Sequence, residues 1–176
     1  GCRAGGQGLN VLVVTGGGGF IGSALVWALN EAGQADVVIV DRFGSGDKWR
    51  NIAKRDFFEI VTIDGLPGWL DRYGGEVEAV FHLGANASTT ERDADYIIAT
   101  NLNASIALWR WCAVHRRTLI YASSAATYGD GTEGFDDAGG YTALKRLKPM
   151  NLYGWSKHAF DLWALREAAK GAAPPR

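Results

Sequence analysis

Residues 10–33 read NVLVVTGGGGFIGSALVWALNEAG. Residues 10–15 are almost wholly apolar and rich in valine, the pattern of a strand buried on both faces of a parallel sheet. The run passes straight into Gly16-Gly17-Gly18-Gly19-Phe20-Ile21-Gly22. Beyond it Ile21, Ala24, Leu25, Ala28 and Ala32 recur at helical spacing, and Gly33 supplies a stop. The reading is strand, glycine turn, helix. Gly16, Gly19 and Gly22 allow a tight turn, a close approach of backbone N–H groups to a pyrophosphate, and close packing of helix on strand.

The rest of the chain repeats this alternation. Residues 36–40 (DVVIV) form a second buried strand ending on Asp41, about 20 residues past the turn, where a carboxylate can accept hydrogen bonds from an adenosine ribose. Arg42 and Lys48 bring cations to the same loop, as a 2′-phosphate would require. Residues 57–63 (FFEIVTI) read as the third strand, and 66–73 as a short helix with Pro67 in its first turn. Residues 77–82 (VEAVFH) are the fourth strand, with His82 a hydrogen-bonded strand-end residue. The small polar loop after it, Leu83-Gly84-Ala85-Asn86-Ala87, lies where loops line the ligand crevice of an open α/β sheet. Residues 91–115 read as a long helix buried along Ile98, Leu102, Ile106, Trp109 and Ala113. Residues 118–122 (TLIYA) are the fifth strand and run into Ser123-Ser124; residues 125–149 are a long connection rich in glycine and charge. A last helix follows. Five strands alternating with helices give an α/β fold, a doubly wound parallel sheet of Rossmann-like type. It is expected as one domain over residues 10–176, after an irregular glycine-rich lead-in over residues 1–9.

Composition narrows the function classes. The 176 residues are 47% hydrophobic and 21% charged, with a net charge of −1, so there is no basic excess to hold nucleic acid or an anionic membrane. The three histidines and two cysteines are scattered without metal-ligand spacing, and Cys112 reads as a small core residue in a reducing compartment. No apolar run approaches the roughly 18 residues of a membrane span, and the chain reads as cytoplasmic.

The chemistry-bearing residues gather late. Tyr153 and Lys157 are four apart in LYGWSK, which on a helix puts both on one face, one turn from each other. A tyrosine titrates near 10, so a base role at pH 7 needs about three units of help, to which a neighbouring lysine cation contributes. Ser124, at the end of the fifth strand, can donate to a substrate oxygen while accepting from a tyrosine.

The glycine spacing over 16–22, Asp41, Ser124 and the Tyr-x-x-x-Lys pair resemble the extended short-chain dehydrogenases/reductases. The segments TGGGGFIGS (15–23), FHLGANASTTE (81–91), YASSAATYG (121–129) and PMNLYGWSK (149–157) resemble the branch that epimerises an ADP-heptose at C6. The likeness runs from about residue 10 to the end. It implies Tyr153 as catalytic acid/base, Lys157 as holder of the nicotinamide ribose, and Ser124 as the partner of the reacting oxygen. It implies that Phe20 and Ile21 lie along the cofactor with Gly16, Gly19 and Gly22. Asp41 and Arg42 would meet the adenosine ribose, and Lys48 a 2′-phosphate. Leu83, Gly84, Ala85, Asn86 and Ala87 would pass under the cofactor, with Thr100 or Asn101 behind them. The implied cofactor is NADP, with NAD as the alternative, and the implied partners are an ADP-sugar substrate and, for a full-length protein, further copies of itself.

Some positions depart from that branch. Leu83 stands where it often has Glu, Asn86 where it often has Cys, Thr100 where it often has Asn, and no lysine follows the third strand near Ile63. The family also has about as many residues again, carrying a sixth strand, most of the sugar pocket and a second catalytic lysine. The chain therefore reads as a truncated, cofactor-binding part lacking the C-terminal substrate domain, expected to bind dinucleotide with little turnover. Its last helix is apolar on more than one face, which predicts self-association. A 4-epimerase of nucleotide sugars is the neighbouring reading; a 4,6-dehydratase would need an acid after Ser124, where Ala125 stands. From another class, a non-catalytic dinucleotide-binding module would not need the Tyr-x-x-x-Lys pair.

Overall fold

A computed structural model describes residues 10–137 and 139–175. The lead-in expected over residues 1–9 lies outside the described residues. The chain divides into two compact units, one ending at Gly84 and the other beginning at Ala85.

The first unit is built on β1 (Val11–Thr15), which pairs in parallel with two neighbours. On one side lies β2 (Val37–Val40), with Leu12 opposite Val37 and Thr15 opposite Val40. On the other lies β4 (Val77–His82), with Thr15 opposite His82. β3 (Glu59–Val61) extends the sheet beyond β2, so the order is β3-β2-β1-β4. Helix α1 (Phe20–Glu31) follows the glycine turn, and α2 (Leu66–Tyr73) starts with Pro67 in its first turn. Every residue of β1 and β2 is buried, which is why both read as unbroken apolar runs. Val14, Val26, Val37, Ile39 and Ile52 form one core, with Leu25, Leu29, Phe43, Phe81 and Leu83 packed against it.

The third strand is shorter than its sequence suggests. Phe57, Phe58, Ile60 and Ile63 are all exposed, and only Glu59–Val61 pair. An edge strand needs only one neighbour, so an apolar run overstates its length.

The second unit holds β5 (Thr118–Tyr121) and four α-helical segments. The helix expected over residues 91–115 begins at α3 (Ala94–Ile97), where the Asp93 carboxylate caps the Tyr96 amide at 3.0 Å. It widens into a π-helical turn over Ile98–Asn103 and continues as α4 (Ala104–His115). Its buried line is Ile97, Asn101, Ser105, Leu108 and Cys112, one position ahead of the expected stripe. Two of those five are polar, and a search for apolar periodicity passes over them. Within the 125–149 connection lie a 3₁₀ turn (Ala125–Tyr128) and α5 (Tyr141–Leu144).

Helix α6 (Leu152–Ala169) starts at an Asn151 cap, whose side chain accepts the Gly154 amide at 2.8 Å. Its Phe160 is fully buried and meets Tyr121 edge-on at 4.5 Å, Trp109 edge-on at 6.2 Å and Trp163 stacked at 5.9 Å. Burying such a side chain contributes on the order of 2–3 kcal/mol, and the ring geometry adds to it. Trp155 and Leu165 on the same helix remain exposed, in line with its apolar character on more than one face.

Candidate functional site

In the first unit the glycine turn is fixed by close approach. Gly16 has φ +73°, and a Cβ there would stand 2.7 Å from the Gly84 amide nitrogen. A Cβ at Gly22 would stand 2.1 Å from the Gly16 carbonyl oxygen, so α1 packs on the turn with no room for a methyl group. The Gly19 amide donates to Gly16 O at 2.9 Å, and Ser23 N to Gly19 O at 2.9 Å. The N-terminus of α1 has no side-chain cap and no acid in its first turn, a setting that attracts an anion. Beside it Phe20 and Ile21 stand 89% and 68% exposed. Large apolar side chains held in solvent at such a helix end form a surface for a flat ligand.

Asp41, at the end of β2, is buried and faces this turn. Its Oδ2 accepts the Gly18 amide at 2.8 Å; its Oδ1 accepts the Arg42 amide at 2.7 Å and the Lys48 ammonium at 2.5 Å. A carboxylate offers about four lone-pair sites, so one remains for a ligand hydroxyl. Lys48, read from sequence as a phosphate ligand, lies on Asp41 and also donates to Arg42 O at 3.1 Å. Arg42 is exposed, with its guanidinium 3.9 Å from Asp64. Asn51, on the 3₁₀ turn Asp47–Ile52, donates to Gly18 O at 2.9 Å and closes the loop onto the glycines. At the end of β4, His82 is buried and shares a 2.6 Å hydrogen bond with Thr15 Oγ1. The same hydroxyl oxygen accepts the Gly84 amide at 3.1 Å, which fixes the path of Leu83-Gly84.

In the second unit a buried asparagine organises the loop that starts at Ala85. Asn101 Oδ1 accepts the Asn86 amide at 2.8 Å, and its Nδ2 donates to Asn86 O at 3.0 Å and to Ser156 Oγ at 3.1 Å. Ser156 in turn donates to Tyr153 O at 2.7 Å. One side chain thus ties the Asn86 backbone to α6, and the π-helical turn sets its position. Thr100 is spent differently, its hydroxyl donating to Tyr96 O at 2.8 Å. The same hydroxyl donates to Asn101 Oδ1 at 3.3 Å, and Asn101 makes the direct bonds to the loop. Ala85 is half-buried and Ala87 exposed.

Ser124 has extended backbone, and its Oγ accepts the Ala126 amide at 3.2 Å. Helix α6 comes against this segment through Gly154, where a Cβ would stand 2.6 Å from Ala126 O. The neighbouring Tyr153 is half-buried. Lys157 is only 3% exposed; its Nζ donates to Ala122 O at 2.9 Å and lies 4.6 Å from the centre of the Tyr121 ring. Burial pulls this ammonium down from an ordinary 10.5 to about 8, against the opposing pull of Asp161. The Tyr121 phenol is pushed up by burial first, then by Asp161 and Tyr153. Asp161 is itself raised by burial, while the Ser123 hydroxyl, donating at 2.6 Å, and the Lys157 cation pull it down.

The sequence reading gives no role to Ser123, Tyr121 or Asp161. For Asp161 the signal was available, since Tyr153, Lys157 and Asp161 continue one i, i+4 row. Among the described residues no group of three or more His, Cys, Asp and Glu could hold a metal ion, and no helix is long and apolar enough to cross a membrane.

The chain is similar to proteins of known kind. The chain is 45% identical over 159 residues to an ADP-L-glycero-D-manno-heptose-6-epimerase of Fusobacterium nucleatum, covering 89% of this chain and 48% of that one. The structure matches the ADP-L-glycero-D-manno-heptose-6-epimerase of Helicobacter pylori with a TM-score of 0.72 at 28% identity, over 94% of this chain and 54% of that one. It matches the UDP-glucose 4-epimerase of Brucella ovis in complex with NAD with a TM-score of 0.67 at 25% identity, over 91% and 48%. These likenesses show the Rossmann-like α/β fold expected from the strand alternation. The chain spans about half the length of the curated relatives it matches. A family model covers residues 12–174, from β1 through the helix of Tyr153 and Lys157, and by that match the chain belongs to the NAD dependent epimerase/dehydratase family.

Proposed function

We propose that residues 10–176 are the dinucleotide-binding domain of a nucleotide-sugar epimerase, acting on ADP-heptose and using NADP. The observation that carries the reading is Lys157, a cation buried at the end of β5 one helical turn from Tyr153. An ammonium in that setting is costly unless it has work to do, and perturbed, buried titratable groups cluster at functional sites. The substrate follows from the relatives of Fusobacterium nucleatum and Nitratidesulfovibrio vulgaris, both ADP-L-glycero-D-manno-heptose-6-epimerases at 45% and 48% identity.

The residues present fit a dinucleotide. The uncapped start of α1 would hold the pyrophosphate, with Gly16, Gly19 and Gly22 letting the backbone close on it and Phe20 and Ile21 lying along it. Asp41 keeps one acceptor site for a ribose hydroxyl. Arg42, exposed, and Lys48, 36% exposed, would answer a 2′-phosphate. Leu83, Gly84, Ala85, Asn86 and Ala87 would pass beneath the cofactor, with Thr100 or Asn101 behind them. A bound nicotinamide dinucleotide supplies a reversible two-electron exchange, so a carbinol can be oxidised and re-reduced on its other face with no net redox change. Tyr153 would take the hydroxyl proton and return it, Ser124 would donate to the reacting oxygen, and Lys157 would hold the nicotinamide ribose. Epimerisation calls for acid/base groups on two faces, and Tyr153 supplies one.

Titrating the chain with NADP and with NAD by calorimetry tests this. NADP is expected to bind at least tenfold more tightly, with Lys48→Ala bringing the two together. Binding of neither at millimolar concentration would overturn the reading.

A further inference from the structure

Asp161 takes no part in the reaction outlined above, yet its surroundings are built. It lies on α6 one turn beyond Lys157, as Lys157 lies one turn beyond Tyr153, so the three share a helix face. The Ser123 hydroxyl donates to its Oδ2 at 2.6 Å. Ser123 adjoins Ser124 in the chain and follows Ala122, whose carbonyl accepts the Lys157 ammonium at 2.9 Å. Two consecutive residues past β5 are therefore bonded to two positions four apart on α6. Neither bond alone sets the register of the strand end against the helix; the pair does.

We propose that Asp161 is a positioning residue of this site: through Ser123 it locks the segment bearing Ser124 onto α6, and it holds a carboxylate one turn along the same helix face from the buried Lys157. The groups facing Lys157 are few. β5 contributes the Tyr121 ring, 4.6 Å away, and the residue after it the Ala122 carbonyl. α6 contributes Asp161, on which the Ser123 hydroxyl and His158 act in turn. Asp161 raises the Lys157 value, against burial. A neutral residue at 161 leaves the lysine with a carbonyl and an aromatic face, both of which favour a cation but neither of which carries a full charge.

The proposal rests on Lys157 being the cofactor-holding lysine, but its test does not need cofactor. Lysine side-chain NMR of the free chain, with ¹³Cε as reporter, follows the Lys157 titration directly. In the unaltered chain the midpoint is expected near 8. Asp161→Asn is expected to lower it by about one pH unit, Asp161→Glu to restore it in part, and Glu167→Gln near the exposed helix end to leave it in place. An unchanged Lys157 midpoint in folded Asp161→Asn would overturn the proposal. Should that variant not fold, the unaltered chain still decides. Protonating Asp161 at acid pH must then shift the Lys157 resonance as well, and a Lys157 signal blind to that step is equally fatal. Dinucleotide binding is read separately, so loss of one result leaves the other standing.

Discussion

Replacing Lys157 by methionine changes the pH dependence of stability in a direction that the burial of its ammonium sets. Lys157 is 3% exposed, and burial takes its ammonium from an ordinary 10.5 to about 8. The folded value thus lies below the unfolded one. Below pH 8 both states carry the proton, and the folded state bears the whole cost of burying a charge, roughly 3 kcal/mol at 1.36 kcal/mol per pH unit. Between 8 and 10.5 the unfolded chain binds more protons than the folded one, so stability rises with pH, by at most about 1.4 kcal/mol per unit. Above 10.5 the cost is gone. Methionine has a similar length and no charge, so Lys157→Met carries no such slope. Groups present in both chains cancel to first order in the difference.

The measurement is urea unfolding of the two chains at several values from pH 7 to pH 9.5, each fitted by linear extrapolation. The range stops there because Tyr121, held above its ordinary 10 by burial, adds a slope of opposite sign at higher pH, and its ring lies 4.6 Å from the substituted ammonium, so that slope does not cancel between the two chains. Across that window the stability of Lys157→Met relative to the unaltered chain is expected to fall by about 2 kcal/mol. Curves that stay parallel within about 0.5 kcal/mol, or that diverge the other way, refute the argument that Lys157 is a desolvated cation.

Gly154→Ala puts a methyl group 2.6 Å from Ala126 O, a backbone atom, so α6 must back away from the segment carrying Ser124. A loss of about 1–3 kcal/mol is expected in the same unfolding assay. Asn101→Ala strands the Asn86 amide and carbonyl and one bond to Ser156, all at a site 2% exposed. A loss of roughly 2–4 kcal/mol is expected, with faster amide exchange at Asn86 as the local signature.

Much of this was legible in the chain, and the parts that were not share a cause. β1 and β2 announce themselves because strands buried on both faces read as near-continuous apolar runs, β4 by an apolar run broken only at Glu78, and the glycine turn because a methyl group fits at neither Gly16 nor Gly22. The misreadings fall where polarity and position part company. Ile60 and Phe58 are apolar but exposed at the sheet edge, so the third strand came out too long. Asn101 and Ser105 are polar but buried, so the stripe of the long helix was placed one residue late. A buried asparagine is tolerated only if its hydrogen bonds are met, and its partners, Asn86 and Ser156, are 15 and 55 residues away in sequence. No local window contains that information. Lys48 shows the same limit, since seven residues separate it from Asp41 and a loop fold decides that they meet.

The two units handle charge in opposite ways, and the contrast explains where chemistry can occur. In the first, the buried Asp41 carboxylate has two amides and the Lys48 ammonium as direct partners, so its charge is met and it serves as a fixed anchor for the loop. In the second, the buried Lys157 ammonium has a carbonyl and an aromatic face for direct contact, and Asp161 acts on it while the Ser123 hydroxyl occupies one carboxylate oxygen. A fully matched pair would sit at a stable charge state and do little else. An incompletely matched cation titrates closer to neutrality, and a ligand hydroxyl or ribose brought beside it regains part of the lost solvation. Under the proposed function, the cost of burying Lys157 is thus the property that suits the Tyr153-Lys157 pair to proton transfer, where the fully bonded Asp41 serves as an anchor.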